Sequence, residues 1–257
     1  MAVLELSSQK TGSKGKLEIK AKGERSAELY ILGDIVATIG DKMSQEDKCP
    51  MEVVKFLEEI EDKDELYIYI NSGGGDAFAG KSIYESLKRS KAHKIAHIDG
   101  MAASAATMPL FAADEIIAPE GSLTMMHDPW TIAIGNATDL RKTAETMEKF
   151  EESYAQIYES RLKDGVNVDI RQKMHEEWWI SGKELAELFE NVKTEETKAA
   201  ACASAMFENY KKIPENVIGF NNKKEEEKRK LMLMIEAIYC LLYTSPAHET
   251  LSDVVCR

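Results

Sequence analysis

Short apolar segments alternate with segments of helical period along most of the chain. Apolar strands are predicted at 28–32, 66–70, 94–98, 115–118 and 123–126. Helices are predicted at 51–60, 77–89 and 104–113, where apolar residues recur at steps of three and four; in the second of these, Phe78 is predicted to be buried. Because strands and helices alternate at this spacing, the sequence predicts an α/β fold with a largely parallel sheet.

One predicted helix, from Asn136 to Leu162, is much longer than the others. Its apolar residues recur at steps of three and four: Leu140, Ala144, Met147, Phe150, Tyr154 and Ile157. Asn136, followed by Asp139 three residues later, fits an N-terminal cap. Since the apolar stripe is narrow and the other faces are charged, we expect this helix to pack on another helix, such as one from a second subunit. Shorter helices are predicted at 182–190 and 198–210.

The alternation of strands and helices stops towards both ends of the chain. Residues 1–25 are polar and predict a flexible leader with one short strand at 16–19. The alternation of strands and helices fills 26–212, which we expect to form one domain. A charged helical tail is predicted over 213–239. Residues 240–257 begin with CLLYTSP, which resembles a translated sequencing adapter, and we expect them to contribute nothing to fold or catalysis.

Charge and cysteine content exclude several classes of protein. Of 257 residues, 33 are Lys or Arg and 45 are Asp or Glu, and a net charge of −12 makes a nucleic-acid partner a poor fit. The four cysteines lack metal-binding spacing, so we expect no zinc site and reduced thiols. The first residues lack the apolar segment of a secretory signal, and no apolar run reaches the roughly 20 residues that span a bilayer. We therefore expect a cytoplasmic protein without a membrane partner.

Three segments at predicted strand ends carry residues suited to chemistry. Residues 71–76 (NSGGGD) contain three glycines whose N–H groups can approach an anion, although such a turn also simply joins a strand to a helix. Residues 99–106 (DGMAASAA) place Ser104 at a helix start, where N–H groups stabilise negative charge, although a serine there also serves as a cap. Residues 125–130 (MMHDPW) place His127 at the end of a strand, and the other histidines are expected to be packed or on the surface.

Taken in this order and spacing, the three segments resemble the ClpP family of serine peptidases. NSGGG stands where that family has Asn-Ser-Pro-Gly-Gly, GMAASAA where it has Gly-x-Ala-Ala-Ser, and MMHDP where it has Met-Ile-His-Gln-Pro, within a resemblance covering about 27–192. The resemblance implies the repeated β-β-α superhelix shared by ClpP and the crotonases. It also implies that the long helix is the handle joining two rings, that the chain forms a homo-oligomeric ring, and that its substrates are proteins.

The resemblance also implies roles for individual residues. Ser104 corresponds to the nucleophile and His127 to the base, while the N–H groups of Gly74 and Ala105 correspond to the oxyanion hole. The family's third catalytic residue is an Asp four positions before the Ser or Thr of a Phe-Leu-Ser-like segment, and Glu177 stands at that position here.

The change from Asp to Glu leaves the third residue open. A glutamate can orient a histidine as an aspartate does, which favours Glu177. Glu176, Asp128 or no carboxylate at all are the alternatives. Peptide cleavage of this kind needs no metal and no cofactor.

Two further stretches resemble the phage-encoded branch of the family, which serves in capsid maturation. They are the long helix and 176–181 (EEWWIS). This likeness implies capsid or scaffold proteins as substrates, the host cytoplasm or the phage prohead as the location, and the charged tail as the start of a scaffold region. The alternatives are a housekeeping peptidase working with an unfolding ATPase, a crotonase-type acyl-CoA enzyme, and a ring-forming structural subunit with a vestigial site.

Overall fold

The structure is a computed structural model that describes residues 3–7, 14–18, 25–196 and 210–213. These residues belong to a compact unit that ends at Ile213. Except for Tyr210, the predicted helix at 198–210 lies outside the described residues. So do 214–257, which include nearly all of the predicted charged tail and the whole adapter-like end.

The described strands form two sheets. The smaller sheet is an antiparallel pair, β1 (Val3–Ser7) and β2 (Lys14–Glu18), of which the sequence predicts only the second. The larger sheet has seven strands: β3 (Ser26–Ile31), β4 (Glu65–Ser72), β5 (His93–Ala103), β6 (Glu115–Pro119), β7 (Leu123–Met126), β8 (Trp178–Ser181) and β9 (Val192–Glu195). The sequence does not predict the last two, which have four residues each.

The larger sheet is mostly parallel, which confirms the predicted α/β class. Strands β3, β4, β5, β6 and β9 lie side by side in parallel. The first part of β5 pairs with β6, and its last part pairs in parallel with β7. Strand β8 then pairs antiparallel with β7.

Six α-helices are described: α1 (Pro50–Glu59), α2 (Ala77–Arg89), α3 (Thr107–Ala112), α4 (Ala137–Glu159), α5 (Ile170–His175) and α6 (Gly182–Leu188). All except α5 were predicted within a few residues, and short 3-10 turns occur at Ile39–Asp41 and Ser104–Ala106. The predicted cap of the long helix is confirmed, since the Asn136 side chain accepts hydrogen bonds from the N–H groups of Thr138 and Asp139. No helix in the described ranges is both long and apolar enough to cross a bilayer.

The two faces of the sheet differ. Alternate residues of β4, namely Leu66, Ile68 and Ile70, are fully buried and join one apolar core with side chains from helices α1, α2 and α3. The residues between them point the other way, where rings of Tyr30, Tyr69 and His97 stack in a row. The period of two in β4 therefore separates an apolar face from an aromatic one.

Strand β7 brings three chain segments to one edge of the sheet. Its parallel pairing with β5 sets Met125 opposite Ala103, and its antiparallel pairing with β8 sets Met126 opposite Trp178. The ends of β5 and β7 and the start of β8 therefore lie together, as the carboxyl ends of parallel strands do. The residues immediately outside these three ends are Ser104, His127 and Glu177.

Candidate active site

The turn that carries Ser104 has a strained backbone. Ser104 has φ 52°, in the left-handed region that residues other than glycine seldom adopt. The hydroxyl of Thr107 donates to the Ser104 carbonyl over 2.6 Å and is also 2.7 Å from the hydroxyl of the fully buried Tyr158. These bonds hold the turn in a conformation that costs free energy on its own.

The side chain of Ser104 is bonded to His127. Ser104 Oγ lies 2.7 Å from His127 Nε2, a hydrogen-bond distance. The N-cap position of the 3-10 turn is occupied by Ala103, whose side chain makes no capping hydrogen bond. Since its hydroxyl is engaged by an imidazole, Ser104 does not serve as the helix cap that the sequence left as an alternative.

His127 sits in a partly buried position that keeps it neutral at neutral pH. Burial lowers its pKa below the usual 6.5, while the negative charges of Glu177 and Asp128 act to raise it. A neutral imidazole whose Nε2 faces a hydroxyl can accept that proton. The pair of Ser104 and His127 is thus arranged as a nucleophile with its base.

The carboxylate of Glu177 is close enough to act on the charge of His127 but does not hydrogen-bond to it. Instead it accepts from the indole Nε1 of Trp179 over 3.1 Å and from the backbone N–H groups of Lys211 and Lys212. Glu177 also has a left-handed backbone, with φ 58°. The structure therefore brings Ser104 and His127 into contact and places Glu177 beside them.

The two alternative carboxylates are bonded to other partners. Asp128 accepts a hydrogen bond from His175 Nδ1. Glu176 accepts from Gln172 over 3.1 Å and lies 3.5 Å from the ammonium of Lys173. Neither is hydrogen-bonded to His127, and of the two only Asp128 contributes to its electrostatic environment.

One cluster among the described residues has side chains of the metal-binding kind. Ligand atoms of Asp128, Glu151 and His175 all lie within 4.8 Å of one another. The His175 side chain is 59% exposed, and the bond to Asp128 raises its pKa. This cluster is accounted for as an ion pair on the protein surface, so we assign no metal to it.

The glycine loop packs directly on the Ser104 turn. A Cβ atom built on Gly74 would lie 2.6 Å from the Ala103 carbonyl oxygen and 3.0 Å from the Ala105 nitrogen. With φ 101°, Gly74 also occupies a conformation suited to glycine. Both the close contact and the φ angle exclude a side chain at Gly74. The glycine loop and the Ser104 turn, the two segments predicted to hold the oxyanion, can therefore lie against each other.

The N–H groups of the glycine loop are not equally available to bind a substrate oxygen. The Gly74 N–H donates to Ser72 Oγ over 3.1 Å. Ile35 is hydrogen-bonded to the residues on either side of Gly75. Its N–H donates to the Gly74 carbonyl, and its carbonyl accepts from the Asp76 N–H. Gly75 lines the cavity beside Ser104. Three consecutive glycines give no sequence signal that could separate these positions.

A mainly apolar cavity of about 190 Å³ opens beside Ser104 and His127. Its apolar walls come from the start of α2, the loop after β7 and one face of α4: Ala77, Phe78, Pro129, Trp130, Met147 and Phe150. The prediction that Phe78 is buried was wrong, because its side chain is 59% exposed and its ring lies 4.3 Å from that of Phe150. The helical period could not distinguish a core residue from one that lines a cavity.

Sequence reasoning missed a further contributor, residues 210–213. The Tyr210 ring lies 5.3 Å from the His127 ring and 6.0 Å from the Trp179 ring, and its hydroxyl donates to the Gly73 carbonyl. The next two residues donate to Glu177. The sequence predicts Tyr210 only as the end of a helix, and no local pattern marks it as part of a site.

Two comparisons with known proteins identify the family and the fold. The family model described as Clp protease matches residues 32–188. A solved structure of a mutant ClpP1 from Listeria monocytogenes resembles this chain with a TM-score of 0.50, over 66% of this chain and 91% of that one. At 20% identity this second likeness shows the ClpP-like fold alone. Because the family model spans more than half of the chain, this protein belongs to the Clp protease family and is a ClpP-like serine endopeptidase.

Proposed function

We propose that the chain cleaves peptide bonds with Ser104 as nucleophile, His127 as general base and Glu177 as the carboxylate that stabilises the charged imidazole. The observation that carries this proposal is the 2.7 Å separation of Ser104 Oγ and His127 Nε2. The register of β5, β7 and β8 supports it, since that register delivers all three residues to one edge of the sheet.

In the proposed reaction, Ser104 Oγ attacks the peptide carbonyl while His127 Nε2 takes its proton. His127 then gives this proton to the leaving amine, which departs as the peptide C–N bond breaks and leaves an acyl-enzyme on Ser104. Water attacks the acyl carbon while His127 takes its proton, and His127 returns that proton to Ser104 Oγ as the acid product leaves. The negative charge of Glu177 favours the imidazolium that forms between these steps.

The oxyanion would be held by backbone N–H groups where the glycine loop meets the Ser104 turn. Ala105 and Gly74 are the donors that we propose. The Gly74 N–H is bonded to Ser72 Oγ, so a substrate oxygen has to displace this hydroxyl. Gly75, which lines the cavity, offers the next N–H along the same loop. Removal of one such donor typically costs about 10²–10³ in rate.

The cavity supports a preference for substrates with an apolar side chain next to the scissile bond. Its walls include rings of Phe78, Trp130 and Phe150. An apolar side chain that enters it leaves water, which is favourable in proportion to the area buried. The lining also contains the carboxylate of Asp76, which caps α2, so an anionic side chain would gain no ion pair there.

We further propose that the natural substrates are capsid or scaffold proteins of a phage head. Support comes from the likeness of the long helix and of 176–181 to the phage branch. The charged segment after residue 213 adds to it, since it fits the start of a scaffold region.

Incubation with a phage capsid protein and with a scaffold protein tests that substrate class. We expect shortened capsid or scaffold products without ATP or a partner, and the Ser104→Ala protein serves as the control. Intact capsid protein, together with cleavage of other proteins only when an unfolding ATPase is added, would support the housekeeping alternative instead.

The Ser104→Ala variant should lose cleavage of a peptide with leucine before the scissile bond by about 10⁴-fold or more, since triad residues act as a unit. Labelling by a fluorophosphonate should disappear as well. Ser86→Ala, which removes a hydroxyl bonded within α2, is the matched control and should retain activity. An undiminished rate in Ser104→Ala would exclude this serine as the nucleophile.

The pH dependence of kcat/KM should report the proton on His127. Because burial lowers the pKa of His127, activity should rise with pH and reach half its maximum below pH 6.5.

Glu177→Gln removes a charge that raises the pKa of His127, so the midpoint of its pH profile should lie lower still. Its kcat should fall by roughly 10⁴-fold or less, against roughly 10⁶-fold for His127→Ala. A Glu177→Gln enzyme with an unchanged profile and kcat would show that another group orients His127.

We also propose that copies of this chain assemble into a ring through the loop before α4 and the start of that helix. Trp130, Ile132, Ile134 and Leu140 are exposed there by 53%, 81%, 98% and 43%. Sedimentation should give a species much heavier than the 28.8 kDa chain, and Ile132→Asp with Ile134→Asp should shift it towards that mass. Met43→Asp, at a site that is 97% exposed, is the control. A wild-type protein that sediments at 28.8 kDa at micromolar concentration would contradict the ring.

A further inference from the structure

We propose that residues 210–212 belong to the active site as positioning residues: their backbone N–H groups orient the carboxylate of Glu177, and the ring of Tyr210 packs on His127. This inference rests on the proposed function. We refer to 210–213, the last described residues, as the acid-holding segment.

The hydrogen bonds to Glu177 come mainly from this segment. The Lys211 N–H lies 2.7 Å from Oε2 and 3.0 Å from Oε1, and the Lys212 N–H lies 3.0 Å from Oε1. Trp179 Nε1 adds a third donor to Oε1. A carboxylate has about four acceptor positions, so the remaining capacity is on Oε2. The segment thus fixes the rotation of the carboxylate and leaves one oxygen able to accept from an imidazolium.

The backbone of Glu177 has an unfavourable conformation, so contacts with other parts of the chain have to hold this residue in place. It lies between the end of α5 and the start of β8, in a left-handed conformation with φ 58°. A residue other than glycine pays about 1–3 kcal/mol for a sparsely populated conformation and keeps it only where its surroundings hold it. Apart from Trp179, the hydrogen-bond donors to its carboxylate in the described chain are Lys211 and Lys212.

Tyr210 connects the same segment to the other parts of the site. Its ring meets the His127 ring at 73°, edge to face, and meets the Trp179 ring at 75°. Its hydroxyl donates to the carbonyl of Gly73 in the glycine loop. One segment therefore contacts the base, the acid and the loop proposed to hold the oxyanion, which favours a positioning role over incidental packing.

The acid-holding segment lies outside the part of the chain that the family model matches. That match ends at residue 188, and the segment begins more than twenty residues later. Its contribution to the site is therefore a property of this chain that the family match does not supply.

Proline substitution tests the backbone donors directly, because proline has no N–H. In the full-length chain, Lys211→Pro and Lys212→Pro should each lower kcat/KM by about tenfold to a hundredfold, as expected for one hydrogen bond to a charged group. They should also move the midpoint of the pH profile lower, in the direction of Glu177→Gln. Lys211→Ala and Lys212→Ala lose the same side chains but keep the N–H groups, so the loss in each proline variant is measured against the matching alanine variant.

A double-mutant cycle separates positioning of Glu177 from general damage. In a Glu177→Ala background, Lys211→Pro should cause no further loss, since the group it positions is gone. An additive loss in that background, or proline variants that match the alanine variants, would overturn the proposal. If the proline variants do not fold, Tyr210→Ala is compared with Tyr210→Phe, which keeps the ring on His127. Tyr210→Ala should have the lower kcat/KM and a shifted pH midpoint, and equal values in the two variants would overturn the proposal.

The outcome also distinguishes this inference from the proposed function. Activity that persists in Ser104→Ala would remove the proposed function itself. Activity that is lost in Ser104→Ala but is unchanged in both proline variants would leave the proposed function standing and remove only the positioning role of the segment.

Discussion

The pairing of β7 with a parallel neighbour on one side and an antiparallel neighbour on the other is the constraint on which the site depends. It sets Ala103 beside Met125 and Met126 beside Trp178. A slip of one residue in either pairing would turn alternate side chains to the other face of the sheet and separate Ser104 from His127. Met125 and Met126, which point to opposite faces of the sheet, are both fully buried, and Met126 belongs to the apolar core.

Two residues of the site hold left-handed backbones, and each is supported from a distance along the chain. The Ser104 turn is held by Thr107, which is paired with Tyr158 on α4. Glu177 is held by backbone groups more than thirty residues further on. Strain at a functional position persists only when its surroundings outweigh it, and here those surroundings are parts of other elements.

Helix α4 serves the site and the surface with different parts of its length. Its last turns are buried, with Tyr154 bonded to the Ala77 carbonyl and Tyr158 in the core. Further towards its start, Met147 and Phe150 line the cavity, and Leu140 is exposed. The narrow apolar stripe read from the sequence is therefore divided among the core, the cavity and a surface that we propose is covered by a second copy.

The sequence by itself determined the order of most strands and helices, the α/β class and the resemblance to ClpP. It could do so because these depend on periods of two and of about 3.6 residues, and on short motifs at strand ends. It also identified Ser104 and His127 as candidates, since each lies at a predicted strand end or helix start, and the resemblance to ClpP added Glu177.

Only the tertiary structure decided how the parts meet. It exposed Phe78 to the cavity, engaged the Gly74 N–H with Ser72, and brought Tyr210 onto His127. Strands β8 and β9 are likewise fixed by their pairing with β7 and β6. Apart from the local bond between Gly74 and Ser72, these cases share one physical reason. Hydrogen bonds and packing between residues far apart in the chain leave no periodic mark on either segment, so only the folded chain selects which segments come into contact.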